Sequence, residues 1–213
     1  MSSAPQFDDG FRARLCELLA WRRDVRRFRR EALPAGAVER LIALACRAPS
    51  VGLSQPWRFV LVDAPERRGA IAHNFAACNA AALAAQGGER AALYARLKLA
   101  GIDDAPAQVA VFSDPATEQG GGLGRLTMPE TIEYSAVAAV HTLWLAARAE
   151  GIGVGWVSIL DPPMVREILD VPASWRLIGY FCLGYPATED DMPELQREGW
   201  EARRAPENFV VRR

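Results

Sequence analysis

The sequence lacks the residue patterns that build most metal, nucleotide and nucleophile sites. Its two histidines, His73 and His141, do not stand in a cluster with acidic residues, so no metal site is predicted. The four cysteines form no CxxC pair, which gives a zinc-ribbon or redox-dithiol motif no support. The chain has no Walker sequence and no GxSxG nucleophile elbow. The chemistry must therefore be sought in less familiar patterns.

Excess charge and long apolar runs are also missing. The chain of 213 residues has 25 Lys plus Arg against 26 Asp plus Glu, a net charge of −1, so no overall field attracts nucleic acid or anionic membranes. The longest apolar run, SAVAAVHTLWLAA (135–147), is too short and too polar to span a bilayer. The first residues, MSSAPQFDDGFRARL, lack the apolar core of a signal peptide. We expect a soluble cytoplasmic protein that binds neither nucleic acid nor membranes.

Apolar periodicity predicts long helices that alternate with four strands, which is typical of α/β or α+β proteins. The helices are expected over 11–23, 36–47, 66–100 with a break at Gly87-Gly88, about 130–150, and 162–169; the strands over 57–63, 107–114, 154–160 and 175–185. The helix at 130–150 is apolar nearly all round, which predicts a place at the centre of a domain or in a dimer interface. Composition does not change along the chain, so one domain over 1–213 is expected.

Arginine is locally abundant. Residues 22–30 read RRDVRRFRR, with six arginines around one acid, Asp24. On a helical turn Arg22 and Arg26 would share a face, and like charges at that spacing repel unless an anion lies between them. The alternative is a solvated basic surface in which Asp24 is only a counter-charge. If the cluster is a site, it would hold one small anion rather than a polymer.

Two glycine-containing stretches accompany the arginine cluster. APSVGLSQPW (48–57) offers the Ser50 hydroxyl and the bare backbone of Gly52 in a tight loop of the kind that suits a phosphate or a flat ring. EGIGVGWVSIL (150–160) leads through three glycines into a strand that ends with Ser158, and Gly155 would let a ring lie close to the backbone. Taken alone, the first is more simply a helix-to-strand connection, and the second a helix C-cap followed by a core strand.

Taken together, RRxxR, APSxxxxQPW, the long apolar helix and GxGxGWxS resemble the FMN-binding nitroreductase family over nearly the whole chain. RRDVR in place of RRSIR, Leu53 in place of asparagine, and the stretches 124–131, 143–160 and 194–200 are most similar to its 5,6-dimethylbenzimidazole synthase branch. The resemblance implies an α+β fold: a three-layer α/β/α sandwich with a central mixed sheet and helices on both faces. It also implies a homodimer with the long helix at its interface.

The same resemblance implies oxygen-dependent fragmentation of reduced FMN to 5,6-dimethylbenzimidazole, the lower ligand of cobalamin, with erythrose 4-phosphate left from the ribityl chain. FMN would be a substrate and O2 a co-substrate, no metal would be needed, and a separate NAD(P)H-dependent reductase would supply FMNH2. One alternative is an NAD(P)H-dependent nitroreductase or flavin reductase that retains its FMN, against which Asp24 and Leu53 argue. Another is a non-catalytic flavin carrier.

The resemblance also assigns residues. FMN contacts are implied at Arg22, Arg23, Asp24, Val25, Arg26, Ser50, Gly52, Gly101 and Ser158. Asp24, kept ionised by the flanking arginines, would be the general base near the ribityl C1′. Ser158 would hydrogen-bond the isoalloxazine and help direct oxygen to it. Residues from about 75 to 101 are expected to form either a lid or an ordinary helical hairpin, and 186–213 a C-terminal extension.

Overall fold

Eight helices and four strands make up the computed structural model, which describes residues 4–97 and 101–213. The helices are α1 (Asp9–Trp21), α2 (Ala37–Ala45), α3 (Pro65–Ala84), α4 (Gly88–Arg96), α5 (Gly101–Asp104), α6 (Thr131–Ala149), α7 (Pro162–Leu169) and α8 (Glu194–Arg197). The strands are β1 (Trp57–Leu61), β2 (Ala107–Ser113), β3 (Gly153–Val157) and β4 (Arg176–Gly184). Every helix and strand predicted from periodicity has a counterpart, and the break at Gly87-Gly88 separates α3 from α4. The end of that predicted helix, 98–100, lies outside the described residues.

The four strands form one sheet in the order β1-β2-β4-β3, and each neighbouring pair in this described sheet is antiparallel. The expected α+β class is confirmed, but the sheet is antiparallel rather than mixed. Periodicity identifies a strand without giving its direction, which depends on the connections between strands. A parallel bridge joins Asp24 to Val154 at the free edge of β3.

Helices cover both faces of the sheet, as a three-layer sandwich requires. Val109 and Val111 of β2 pack in a cluster with buried residues of α2 and α6. Ala110 and Phe112, which alternate with them, pack in a second cluster with residues of α3 and α7. Side chains on a strand point alternately to opposite faces, so this single strand contributes to both layers of the core.

The long helix α6 is only partly buried in the single chain. Its buried positions, which include Ala136, Val140 and Leu143, face the sheet and α2. Tyr134 and Val137 are exposed on the other side, so the expected burial on all sides requires a further partner. Across residues 4–97 and 101–213, helices are too short or too polar for a membrane span.

Candidate functional site

A cavity of about 300 Å³ lies beside the end of β3. Asp24 and Arg26 line one side of it, and Ser158, the first residue after β3, lines another. Tyr94 of α4 and Trp200 of the C-terminal segment complete the wall. The cavity thus combines charged groups, hydroxyls and aromatic rings, which is the usual make-up of a small-molecule site.

The arginine-rich segment is extended rather than helical. Helix α1 ends at Trp21, and Arg22 already has extended backbone angles, φ −69° and ψ 115°. The Val25 amide donates to the carbonyl oxygen of Val154 at 3.0 Å, which docks the segment on the edge of β3. The expected helical face shared by Arg22 and Arg26 is therefore wrong, because pairing with a distant strand overrides the local pattern.

Gly153 and Gly155 make the room for this docking. A Cβ on Gly153 would lie 2.7 Å from Cγ2 of Val25, and one on Gly155 would overlap the Val25 carbonyl oxygen. Val25 thus occupies the position of the missing Gly155 side chain, while Gly155 also lines the larger cavity, so the close approach of a ring to its backbone stays a prediction. Gly153 and Gly155 thus let Val25 pack against β3, which places its neighbour Asp24 beside the same strand.

Asp24 is held by two donors. Its Oδ1 accepts a hydrogen bond from the Trp156 amide at 2.9 Å, and its Oδ2 lies 3.4 Å from Nε of Arg26. Burial raises the pKa of Asp24 above its ordinary value and outweighs the opposing effects of the Trp156 amide and the arginines. The arginines act in the expected direction, but burial has the larger effect on this pKa even though 39% of the Asp24 side chain is exposed. The ionised general base stays a prediction.

Arg26 is a buried cation with spare hydrogen-bonding capacity. Only 11% of its side chain is exposed, and its Nε lies 4.0 Å from Oε2 of Glu194 in addition to Asp24. Its Nη1 is buried and has no hydrogen-bond partner within the described part of the chain. An unpaired buried donor on a charged group is costly, so this nitrogen favours an acceptor from a bound molecule.

A smaller cavity, about 130 Å³, adjoins the first and concentrates positive charge. Its lining includes Arg22, Arg23, Arg26 and Arg203. Burial lowers the pKa of Arg22 and of Arg23, and the charge of Arg203 lowers both further. Like charges gathered in a half-buried place are stabilised by an anion, and arginine suits a phosphate because its planar fork binds two oxygens.

Comparison with known proteins identifies the family. The sequence model of the nitroreductase family matches residues 19–185, well over half of the chain. The chain belongs to the nitroreductase family. The fold agrees: a crystal structure of oxidized iodotyrosine deiodinase bound to FMN and 3-iodo-L-tyrosine matches with a TM-score of 0.72 at 23% identity, covering 93% of this chain and 97% of that one.

Two curated relatives are much more similar in sequence. The 5,6-dimethylbenzimidazole synthase of Rhodospirillum rubrum is 57% identical over 213 residues, which cover 100% of both chains. The 5,6-dimethylbenzimidazole synthase of Rhodobacter capsulatus is 48% identical over 195 residues, covering 92% of this chain and 94% of the relative. The resemblance inferred from the sequence motifs is confirmed.

The structure of this nitroreductase-family chain brings together only some of the residues assigned from the motifs. Asp24, Val25, Arg26, Gly101 and Ser158 line the larger cavity, and Arg22 and Arg23 the smaller one. Ser50 and Gly52 line neither. The Ser50 hydroxyl accepts from the Gln55 amide at 3.1 Å, and a Cβ on Gly52 would lie 2.7 Å from the Leu123 carbonyl oxygen. Ser50 therefore braces its own loop, and Gly52 lies in the packing between the 48–57 loop and the loop that follows β2.

Sequence reasoning missed the C-terminal contribution. Leu195 and Trp200 line the larger cavity and Arg203 the smaller one, although 186–213 was expected only to be an extension. The ELQREGW stretch was the available signal, but nothing in it indicates which distant residues it meets. On the other side, Phe75, Tyr94 and Leu97 of the predicted lid line the cavity, while 98–100 lie outside the described residues. Among residues 4–97 and 101–213, His, Cys, Asp and Glu form no group of three suited to a metal ion.

Proposed function

We propose that the chain is a 5,6-dimethylbenzimidazole synthase that fragments reduced FMN with O2, leaving erythrose 4-phosphate from the ribityl chain. The observation that carries the proposal is the 57% identity, over the full length of both chains, with the Rhodospirillum rubrum protein of that name. The site supports it, because an acid stands among arginines at the wall of a cavity large enough to receive a ring system.

The residues present fit FMN as a substrate. The arginines of the smaller cavity would hold its phosphate, and the unpaired Nη1 of Arg26 would donate to a flavin oxygen or nitrogen. The aromatic wall formed by Tyr94 and Trp200 suits a flat ring. When bound, reduced FMN supplies both the electrons for oxygen reduction and the ring that becomes the benzimidazole.

Asp24 would act as the general base for the proton lost from the ribityl C1′. Its Oδ1 is fixed by the Trp156 amide, so the carboxylate cannot turn freely. A carboxyl whose pKa is raised by burial is a stronger base once ionised, which suits proton transfer near neutral pH. Ser158, which lines the same cavity, would donate or accept a hydrogen bond at the ring.

The experiment that tests the proposed reaction supplies FMNH2 from a separate reductase. Purified protein is mixed with FMN, a separate reductase and NADH, air is admitted, and flavin and 5,6-dimethylbenzimidazole are followed by chromatography. We expect flavin loss matched by benzimidazole formation, and neither when the reductase or O2 is omitted. Intact flavin with NAD(P)H consumed by the protein alone would instead indicate an ordinary flavin reductase. Intact flavin without any turnover would indicate a carrier.

We further propose that the protein is a homodimer with flavin between the two copies. Helix α1 supports this, because none of its residues, all of them described, is buried, yet Phe11, Leu15 and Leu19 form an apolar stripe. The exposed side of α6 with Tyr134 and Val137 adds to the same argument. A flavin between two copies would meet Ser50 and Gly52 from the second copy, which accounts for their place outside the cavities of a single chain.

Leu15→Glu is expected to dissociate the dimer. Burying a charge in an apolar interface without a partner should weaken association by about 100-fold or more. FMN binding should weaken in parallel if both copies contribute to the site. Sedimentation velocity at micromolar protein measures the first effect and flavin fluorescence titration the second. The control is Glu17→Ala, an exposed position on the same helix; a Leu15→Glu protein of unchanged mass would contradict this interface.

Arg203→Ala is expected to weaken FMN binding about 10-fold, the usual effect of losing one charge-assisted hydrogen bond. The rate of benzimidazole formation at saturating FMNH2 should change little, because Arg203 lines the smaller cavity and not the one that contains Ser158. Titrations at two salt concentrations should show a smaller salt dependence in the variant than in the wild type. Arg204→Ala, at the next position, is the matched control, and equal affinities of the two variants would remove Arg203 from the site.

A further inference from the structure

The ELQREGW stretch, 194–200, folds into a compact turn with a defined end. Helix α8 ends at Arg197, and Gly199 has the left-handed φ of +75°. The Gly199 amide donates to the Gln196 carbonyl at 3.1 Å and the Trp200 amide to the Leu195 carbonyl at 2.8 Å. This pair of bonds is a Schellman motif, which glycine at that position favours. It brings Leu195 and Trp200 to the wall of the same cavity.

Trp200 meets helix α4 across that cavity. Its ring lies 6.3 Å from the ring of Tyr94 in an edge-on arrangement with an interplanar angle of 60°. The guanidinium of Arg90 lies over the Trp200 ring, 5.0 Å from its centroid. Arg90 and Tyr94 are four residues apart and share a face of α4. The Tyr94 hydroxyl also donates to Oδ1 of Asn79 in α3 at 2.8 Å, so the contact involves the whole helical hairpin.

The C-terminal side of this contact is firmly anchored to the arginine-rich segment. Glu194 pairs with Arg27 at 3.3 Å, and only 15% of its side chain is exposed. The Nε of Arg23 donates to the Asp191 carbonyl at 2.8 Å. Trp200 is therefore held by the arginine-rich segment. Helix α3 is anchored in the core by Ile71, whereas α4 has no buried residue among its described side chains, so α4 depends on contacts such as this one for its position.

We propose that Trp200 is a positioning residue whose contact with Tyr94 and Arg90 holds helix α4 closed over bound reduced flavin. The proposal rests on the proposed function and concerns the outcome of that reaction. Reduced flavin that meets O2 in the open gives oxidised FMN and H2O2, with both electrons of FMNH2 passing to O2. A closed cavity excludes water and retains the substrate until the ring is fragmented. Trp200 thus determines the share of FMNH2 that becomes benzimidazole.

The test compares products at a single turnover. FMNH2 prepared anaerobically is bound to excess protein and mixed with air-saturated buffer, and 5,6-dimethylbenzimidazole, FMN and H2O2 are quantified. Trp200→Ala is expected to lower the benzimidazole yield about 5-fold or more and to raise the yields of H2O2 and FMN correspondingly. The reason is that an open cavity no longer excludes water or retains the reduced flavin. Trp200→Phe keeps an aromatic ring against Tyr94 and should restore most of the yield. Glu201→Ala, at the next position, is the control and should match the wild type.

A second measurement needs no flavin. Amide hydrogen exchange in α4 of the flavin-free protein should be faster in Trp200→Ala than in the wild type, with Trp200→Phe between them. Unchanged α4 exchange together with an unchanged ratio of benzimidazole to H2O2 would overturn the proposal. If Trp200→Ala does not fold, Arg90→Gln takes its place with the same two readouts. A wild-type protein that yields only FMN and H2O2 would overturn the proposed function instead, while α4 exchange would still report on the contact.

Discussion

Asp24→Asn should abolish benzimidazole formation while leaving reduced flavin bound. Asparagine keeps an oxygen that can accept the Trp156 amide bond made by Oδ1, so the local geometry is preserved. It cannot accept a proton, and loss of a general base typically lowers a rate by about 10²–10⁴-fold. The time course of benzimidazole formation in a single turnover measures the rate. Fluorescence titration with FMN measures binding, and the affinity should change by no more than about 3-fold.

The pH dependence provides an independent check on Asp24. In the wild type the rate should fall as pH is lowered through the raised pKa of this carboxyl, because only the ionised form accepts a proton. The charged groups facing it are Arg22 and Arg26 on its own segment, and the Cys182 thiol of β4 also senses its charge. The pKa of Cys182 is raised to about 12, mainly by burial, so this thiol stays neutral through the range measured.

As pH rises, the contribution of Asp24 to folding stability should decrease while the activity of the wild type increases. The folded state binds a proton at Asp24 more tightly than the unfolded state does, because its folded pKa is raised. Its contribution to stability is therefore most favourable below the unfolded pKa and is lost as pH rises through the folded pKa. At pH 7 to 8 the melting temperature of Asp24→Asn should equal or exceed that of the wild type. If Asp24→Asn is less stable than the wild type at that pH, the raised pKa is contradicted; if it is still active, the general-base role of Asp24 is contradicted.

Gly155→Ala should strongly destabilise the protein and disrupt the site. The added Cβ would overlap the Val25 carbonyl oxygen, which belongs to backbone and cannot rotate away. Segment 22–28 must then separate from β3, losing the Val25–Val154 hydrogen bond and moving Asp24 away from the Trp156 amide. Overpacking of this kind costs about 3 kcal/mol, which corresponds to a fall in melting temperature of roughly 6–12 °C for a chain of this size.

Gly69→Ala is the matched control for that substitution. Gly69 lies within α3, is exposed, and a Cβ there meets nothing within 4 Å. Alanine should stabilise the helix by about 0.5–1 kcal/mol. Thermal unfolding followed by circular dichroism measures both variants, and flavin titration reports the state of the site. A Gly155→Ala protein that melts within about a degree of the wild type would show that Val25 does not depend on this glycine.

The helices and strands could be predicted from the sequence because their signals are local. The apolar spacing of α2 and α6 and the alternation along β2 depend only on neighbouring residues. Arginine content alone left two interpretations open, an anion site or a solvated basic surface, and the anion site stays a prediction. The extended shape of that segment could not be predicted, because it depends on an edge strand about 130 residues away whose glycines make the room.

The rest of the site depends on distances and burial that the sequence does not express. Six arginines around one acid suggested a depressed pKa, whereas packing reverses the direction. Arg203 and Trp200 lie in a polar C-terminal segment whose local pattern gives no reason to place them beside Arg22 or Tyr94. The direction of the strands is equally non-local: the mixed sheet was an expectation taken from the family resemblance, and the described strands pair antiparallel.

The residues that line the two cavities come from early and late parts of the chain, which matters while the protein is being translated. One wall comes from residues 22–26 and another from residues 195–203, while the last strand, β4, ends at Gly184. A nascent chain that has just emerged through β4 therefore has its complete sheet but still lacks Leu195, Trp200 and Arg203. Chains released early from the ribosome would resemble the finished enzyme in secondary structure, yet they would neither grip the flavin phosphate nor enclose the ring. Capacity to consume flavin would thus arise only after residues 195–203 have been made and have folded onto the sheet.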